Sequence, residues 1–342
     1  MNKRLLGVID ATTFHEDLEE LIVHRSVAAV PFGGRYRLID FVLSNMVNSG
    51  IESVAIFPKF QYRSLMDHLE SGKNWDLNRK RDGLFFFPSP NLDVPFRGIG
   101  SLEHFAANID YFYRSTQKYT LIANCYTVFN MDFKPLLRWH IESDCDITEV
   151  RQGGKSLNMY LLKTSLLIDL IESRQQTGYY SIRDAVSDLD SQFKLCSYEY
   201  SGYAKMIDSI EEYFSASMSL LKPEIWNQLF TKERPIFTKV KDEPPARYSR
   251  AAVVKNSIIA NGGIIEGQVE NSILARGVKI GRGSIVRNSI IMQKSQIGEN
   301  CVLDSVILDK DVKIEPGTML AGPSHSPIVI RKGTVQGAVM NS

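Results

Sequence analysis

The sequence predicts an α/β three-layer domain followed by a left-handed parallel β-helix. Two observations carry that reading. Over residues 1 to about 222, β-like apolar runs alternate with helical patterns, and after residue 250 short aliphatic segments recur at a fixed interval. Alternation of this kind points to a parallel sheet with right-handed crossovers, and the recurrence to a solenoid.

In the first part, LLGVID, SVAIF from Ser53 and YTLIA from Tyr119 are the expected parallel strands. RLIDFVLSNMVNSG and LEHFAANIDYFYRS are the expected amphipathic helices between them. Chemistry in such a sheet gathers at the carboxyl ends of the strands, here the segments after Asp10 and after Ala123. The domain is expected to span residues 1–230. A charged, proline-bearing stretch, TKERPIFTKVKDEPPARYSR at 231–250, reads as a linker.

The repeat occupies 251–342. VKNSII, VENSIL, VRNSII and LDSVIL start at Val254, Val269, Val286 and Leu303, the last three 17 residues apart. Leu274, Ile291 and Leu308 form one column, and Ile280, Ile297 and Ile314 another. Steps of five or six residues suit three short strands per turn, with aliphatic columns facing inward. Gly277, Gly281, Gly283, Gly298 and Asn300 fall at expected corners. A solenoid leaves flat faces that dock on a neighbouring domain or subunit. An acyltransferase working between solenoids would need a histidine base, and the one histidine there, His325 in GPSHSP, reads as a solvated loop residue.

Composition sets the outer limits. At roughly 150 residues per domain, 342 residues suggest two domains, and 44% apolar with 23% charged residues excludes a disordered or fibrous chain. A net charge of +1 gives no footprint for nucleic acid or an anionic membrane. Cys125, Cys145, Cys196 and Cys301 lack metal-type pairing, so reduced thiols and no disulfide framework are expected. The start, MNKRLLGVIDATTFHEDLEEL, turns acidic before a signal-type apolar core forms, and no run of about 18 apolar residues occurs. A cytoplasmic, soluble protein is expected.

FGGRYRLIDF places Arg35 and Arg37 in a Gly-Gly loop entering a helix, a candidate anion site through helix-terminal amides and guanidinium forks. Solvated or ion-paired arginines are the alternative reading. NRKRDGLFFF from Asn78 reads as a loop with a buried or interfacial aromatic patch, and Trp75, Trp139 and Trp226 as packing residues.

The block from Val30 to Ile51, VPFGGRYRLIDFVLSNMVNSGI, closely resembles the N-terminal block of bacterial glucose-1-phosphate adenylyltransferases. QYRSLMDHL from Gln61, NIDYFYRS from Asn108, MDF at Met131 and PIFTKVKDEPPA before the coils continue the resemblance over nearly the whole chain. It implies a nucleotidyltransferase-like (Rossmann-like, GT-A-type) domain joined to a β-helix, in a tetramer that makes ADP-glucose from ATP and glucose 1-phosphate. It also places Arg63 and the two loop arginines near a cleft for phosphorylated effectors.

The family's reactive groups are missing from the matching positions. Thr12, Thr13 and His15 stand where its phosphate loop has glycines, Asp17 where it has an arginine, and Val27 where it has a lysine. Side chains there obstruct the approach of backbone amides to phosphate. An acidic residue in place of the arginine turns attraction into repulsion, about 4 kcal/mol for unit charges some 4 Å apart at an effective dielectric of 20. Tyr126 and Met206 replace the two magnesium aspartates, and neither a phenol nor a thioether substitutes for a carboxylate on that ion. No free aspartate is read beside either position. Asp132 and Glu103 persist, but on the resemblance neither is a metal ligand. The chain also passes from DIT at Asp146 through EVRQGGK to SLNMYLL, omitting the segment that holds the sugar phosphate.

Five such losses resemble the non-catalytic, regulatory member of the family. No metal is then expected in this chain, Mg²⁺ belonging to a catalytic partner subunit in a hetero-oligomer, a heterotetramer on the family pattern, that a phosphorylated small molecule regulates. Two other readings stay open. One is an active nucleotidyltransferase with a site rebuilt for another sugar phosphate, and the other a homo-oligomeric sugar-phosphate sensor or scaffold.

Overall fold

The computed structural model describes residues 4–89, 98–323 and 325–337. Strands β1 (Leu5–Ala11), β2 (Ser53–Pro58), β3 (Gly83–Phe86) and β4 (Tyr119–Asn124) pair in parallel, β1 between β2 and β4. The runs β1, β2 and β4 are buried throughout, which is why they read as continuous apolar segments rather than alternating ones. After the short strand β5 (Thr127–Phe129), strands β6 (Ile147–Gln152), β7 (Lys155–Lys163) and β8 (Leu195–Glu199) complete the sheet in the order β8, β6, β7, β4, β1, β2, β3. β7 runs antiparallel to both its neighbours. A last short strand, β9 (Ala204–Met206), pairs antiparallel with β5 over the carboxyl end of β4.

The first expected helix is α1 (Leu38–Asn48), packed against the sheet by Leu38, Phe41, Val42 and Met46. Its first turn is fixed by Asp40, whose Oδ2 accepts from the Arg37 backbone N–H at 2.9 Å. Asp40 Oδ1 lies 2.6 Å from His68 Nε2 of α2 (Arg63–Leu69). The LEHFAANIDYFYRS segment is two helices, Leu102–Ala106 and Ile109–Arg114, broken at Ala107–Asn108. Trp75 is buried and donates to Ser44 Oγ at 3.1 Å, whereas Trp226, read as a packing residue, is 37% exposed and leans over Phe230.

Two expectations need correction. Cys145 and Cys196 are not separate thiols but a disulfide, with Cα atoms 6.1 Å apart. β8 pairs with β6 so that Cys196 faces Thr148, which brings Cys145, just before β6, within bonding reach across 51 residues of sequence. Such bonds are uncommon in a reducing cytoplasm. Cys125 and Cys301 are free and buried. The stretch after residue 230 is also more than a tether. Phe237 N–H donates to Ser44 Oγ (2.9 Å), Asn48 Nδ2 to the Pro235 carbonyl (2.9 Å) and Arg234 Nε to Asn130 Oδ1 (3.0 Å). Its end, Arg247–Tyr248, is already the first strand of the solenoid, paired with Ile264–Ile265.

The solenoid follows the 17-residue register. Leu274 pairs with Ile291 and Ile291 with Leu308, while Ile280, Ile297 and Ile314 stack in a second sheet. These columns and Val269, Val286 and Leu303 fill the interior. Gly277, Gly283 and Asn300 turn corners with positive φ, as do Asn256, Asn271 and Asn288, which the glycine count missed. Gly281 serves by close approach instead: a Cβ there would lie 2.4 Å from the Gly298 carbonyl oxygen. Because that neighbour is backbone, Gly281→Ala is expected to cost about 1–3 kcal/mol, read as a lower denaturation midpoint at unchanged m-value.

The solenoid docks firmly on the first domain. Ile273, Ile290, Met292 and Ile307 point outward from one face and join the core of the N-terminal domain. Within the same interface Arg25 Nη2 donates to both carboxylate oxygens of Asp309, each bond 2.9 Å, with side chains only 3% and 2% exposed. Among the described residues no helix is long and apolar enough to cross a membrane.

Candidate functional site

The carboxyl ends of β1 and β4 meet under the loop Thr12–His15, and the side chains there fill the space between them. Asp10, wholly buried, accepts from the Thr12 backbone N–H (2.8 Å), the Thr12 hydroxyl (2.6 Å) and the Gly100 backbone N–H (2.6 Å), so its carboxylate is committed to holding the loop. The His15 ring stands edge-on to the Tyr126 ring, centroids 4.5 Å apart. From β7, Asn158 Nδ2 donates to the Tyr126 hydroxyl at 3.2 Å and approaches Met206 Sδ at 3.7 Å. Of the seven substituted positions, His15, Tyr126 and Met206 thus belong to one packed group closed by Asn158, with Thr12 tied to Asp10 beside it. Burial pushes the Tyr126 phenol well above its ordinary range and lowers His15, against which Asp208 and Asp17 pull upward. Both groups are therefore held neutral near pH 7.

Thr12, Thr13 and Phe14 also line a cleft of about 470 Å³ beside the loop, shared with Val27, Phe60 and Gln61. Phe14 is 54% exposed at its mouth. The one cation of the cleft, Arg25, is already committed to Asp309, and Glu19 adds a negative charge, so the cleft is a poor cradle for polyphosphate, which wants free amides and cations. Asp17 is the middle residue of a short 3-10 turn, Glu16–Leu18, and is exposed.

These groups do not fit a magnesium ion. A phenol and a thioether stand where hard carboxylate oxygens are needed, and an imidazole and a carboxamide pack against them. Among the described residues no group of three or more His, Cys, Asp or Glu is placed to hold a metal. Asp208, two residues past Met206, went unnoticed in the sequence. It is exposed, and its charge acts on both His15 and Tyr126. It supplies one carboxylate without a second. Asp132 caps the helix Phe133–Glu142 through the Lys134 N–H (2.9 Å), and Glu103 pairs with Arg174 at 2.7 Å, so both have structural employment.

The candidate arginines divide. Gly33 and Gly34, both at positive φ, carry the loop against the solenoid, where a Cβ on Gly34 would lie 3.4 Å from the Leu274 carbonyl. This brings Arg35 and Arg37 to the interdomain cleft. Arg37 Nη1 donates to Ser64 Oγ at 3.0 Å, and Arg276 Nη2 reaches the Arg35 carbonyl at 3.3 Å. Arg25, Lys241 and Lys310 crowd the same cleft: burial and mutual repulsion bring Arg37 down to about 10 and Lys310 to about 7. Arg63 lies exposed in the first turn of α2 and does not figure in this repulsion. Arg25, Lys241, Arg276 and Lys310 come from scattered segments with no shared motif, and only the fold unites them.

A depressed lysine fixes the sign of a pH effect. Between about pH 7 and the free-lysine value near 10.4 the unfolded chain carries the proton that folded Lys310 releases, so stability rises with pH across that window. Below about pH 7 the penalty is fully present. Lys310→Met is expected to flatten this slope, measured by denaturant unfolding at several pH values between about 6 and 10.

Comparison with known proteins matches residues 18–156 to the Nucleotidyl transferase family and residues 244–324 to GlmU-like, C-terminal hexapeptide. The chain is 55% identical over 341 residues to the glycogen biosynthesis protein GlgD of Bacillus subtilis (strain 168), covering 100% of this chain and 99% of that protein. It is 64% identical to GlgD of Geobacillus stearothermophilus over 344 residues, covering 100% of both. The chain belongs to the GlgD family. Further off is the glucose-1-phosphate adenylyltransferase of Bacillus anthracis, 29% identical over 343 residues, with 89% of this chain and 91% of that protein covered. That alignment of the GlgD-family chain runs over both its N-terminal domain and its solenoid.

Proposed function

We propose that this chain is a regulatory, catalytically impaired subunit in glycogen biosynthesis. It joins a catalytic glucose-1-phosphate adenylyltransferase subunit in a cytoplasmic hetero-oligomer, a heterotetramer on the family pattern, and alters how that subunit makes ADP-glucose from ATP and glucose 1-phosphate. The reading rests on one observation above others: the His15, Tyr126, Asn158 and Met206 side chains pack together where the transferase chemistry needs metal oxygens and phosphate-binding amides. Chemistry is thereby assigned to the partner, with Mg²⁺ held there. The GlgD names of full-length relatives support the metabolic setting.

Regulation is assigned to the interdomain cleft. Arg35, Arg37, Lys241, Arg276 and Lys310 form a cationic set that a phosphorylated small molecule would neutralise, and it bridges the two domains, so ligand binding bears on their packing. Arg63 stays a weaker candidate at the rim.

Co-expression with a catalytic paralogue tests this. A mixed species by size and mass, with an ADP-glucose rate or effector response different from the paralogue alone, is the expected result. Arg276→Ala in this chain should then raise the effector concentration needed for half-response. Failure to form any mixed species removes the proposal.

A further inference from the structure

The sheet ends at β8 in a strand with very little apolar packing behind it. Its five residues alternate between exposed and half-buried, and the strand pairs with β6 alone. An edge strand of this kind opens at low cost unless something else ties it down. Here the tie is covalent: Cys196 of β8 is bonded to Cys145, just before β6, across 51 residues of sequence. Hydrogen bonds sit beside the crosslink. The Lys194 backbone N–H donates to Asp146 Oδ2 at 2.9 Å, the Asp146 N–H to the Lys194 carbonyl at 3.0 Å, and Lys194 Nζ to the Ser143 carbonyl at 2.8 Å. These contacts keep the two cysteines neighbours when the sulfurs part, so closing the bond again is an intramolecular step.

We propose that Cys145–Cys196 is a reversible modification site, a thiol–disulfide switch opened by a dithiol reductant, and that its state sets how firmly the strap from β8 to β9 is held. Access gives the exchange a direction. Cys145 is buried, 2% exposed, whereas Cys196 is half-buried on the outermost strand. A thiolate of the reductant attacks Cys196 Sγ, the S–S bond breaks, and Cys145 leaves as a thiolate that takes a proton from solvent. The second thiol of the reductant, losing its proton, then attacks its own sulfur in the mixed disulfide and releases Cys196. Two electrons pass to the cystine, and the reductant departs as a disulfide. Cys125 and Cys301 do not compete, because both are free but wholly buried.

The strap leads from the sulfurs to the packed group at the carboxyl ends of β1 and β4. Past β8 the Tyr200 N–H donates to the Arg151 carbonyl at 2.8 Å, and its hydroxyl to the Asn130 carbonyl at 3.0 Å. β9 follows, paired with β5, and ends at Met206 against Asn158. With the crosslink open, β8 keeps its backbone bonds but loses the constraint that limits how often they break, and the loosening passes along the strap toward Met206. The switch does not depend on the regulatory reading, since it needs no second subunit.

Equilibrating the purified full-length chain in mixtures of reduced and oxidised dithiothreitol tests it, with free thiols trapped by iodoacetamide in the folded protein and located by peptide mass. Cys145 and Cys196 are expected to open and close together in one reversible transition, while Cys125 and Cys301 stay unlabelled. Amide exchange over 195–206 should be about tenfold or more faster in the reduced chain, with β1 and β4 unchanged. The double variant Cys145→Ser with Cys196→Ser should exchange like the reduced chain and no longer respond to dithiothreitol. A pair that stays oxidised in the most reducing mixture, or thiols that do not close again, overturns the proposal. So does exchange over 195–206 that is unchanged by reduction, or that speeds up no more than in the rest of the domain.

Discussion

Asp309→Ala is expected to lower stability by about 3–5 kcal/mol, the largest single loss in the molecule outside the central core. The substitution leaves the Arg25 guanidinium buried without its carboxylate, next to Arg37 and Lys310, whose own charges already repel it. Asp309 also holds its neighbour, since its Oδ1 accepts from the Lys310 backbone N–H at 2.7 Å. The pair joins the two domains, so its loss should show as early loosening of the solenoid from the N-terminal domain, seen as faster amide exchange at Ile273, Ile290 and Ile307. Removing both partners together, Arg25→Met with Asp309→Leu, should recover much of the loss, because the isolated charge is the main penalty. Chemical denaturation of the three variants checks the sequence of effects.

Tyr126→Asp, which writes the missing carboxylate back, is expected to cost about 3–5 kcal/mol and to restore no transfer. A tyrosine 4% exposed is replaced by a smaller charged group facing Asn158, His15 and Met206, none of which is a cation at neutral pH. Magnesium cannot repay that loss with a thioether at the second position. Tyr126→Phe keeps the packing and removes only the bond from Asn158, so a change within about 1 kcal/mol is expected. Unfolding midpoints with and without Mg²⁺ distinguish a packed group from a vacated metal site.

The solenoid was legible in the sequence because each coil buries the same three columns, and one misplaced polar residue among Leu274, Ile291 and Leu308 would have shown. The central strands were legible for a similar reason, being buried on both faces. What escaped depended on pairing between distant segments. Nothing near Cys145 indicates that Leu195–Glu199 lies beside Ile147–Gln152, and the disulfide follows from that pairing alone. The substituted residues of the degenerate site were legible one at a time, yet their mutual packing was not, since Asn158 enters from an antiparallel strand with no motif of its own. The cationic cleft was half legible: Arg35 and Arg37 announce themselves in a Gly-Gly loop, while Arg25, Arg276 and Lys310 are ordinary residues until the domains close on one another.

The central claim is that the chain keeps the frame of a sugar-nucleotide transferase with its reactive groups replaced by packing. Incubating the purified chain alone with ATP, glucose 1-phosphate and Mg²⁺ and following ADP-glucose tests it most directly. No product above background is predicted, and sustained turnover on the order of 1 per second or more would contradict the account.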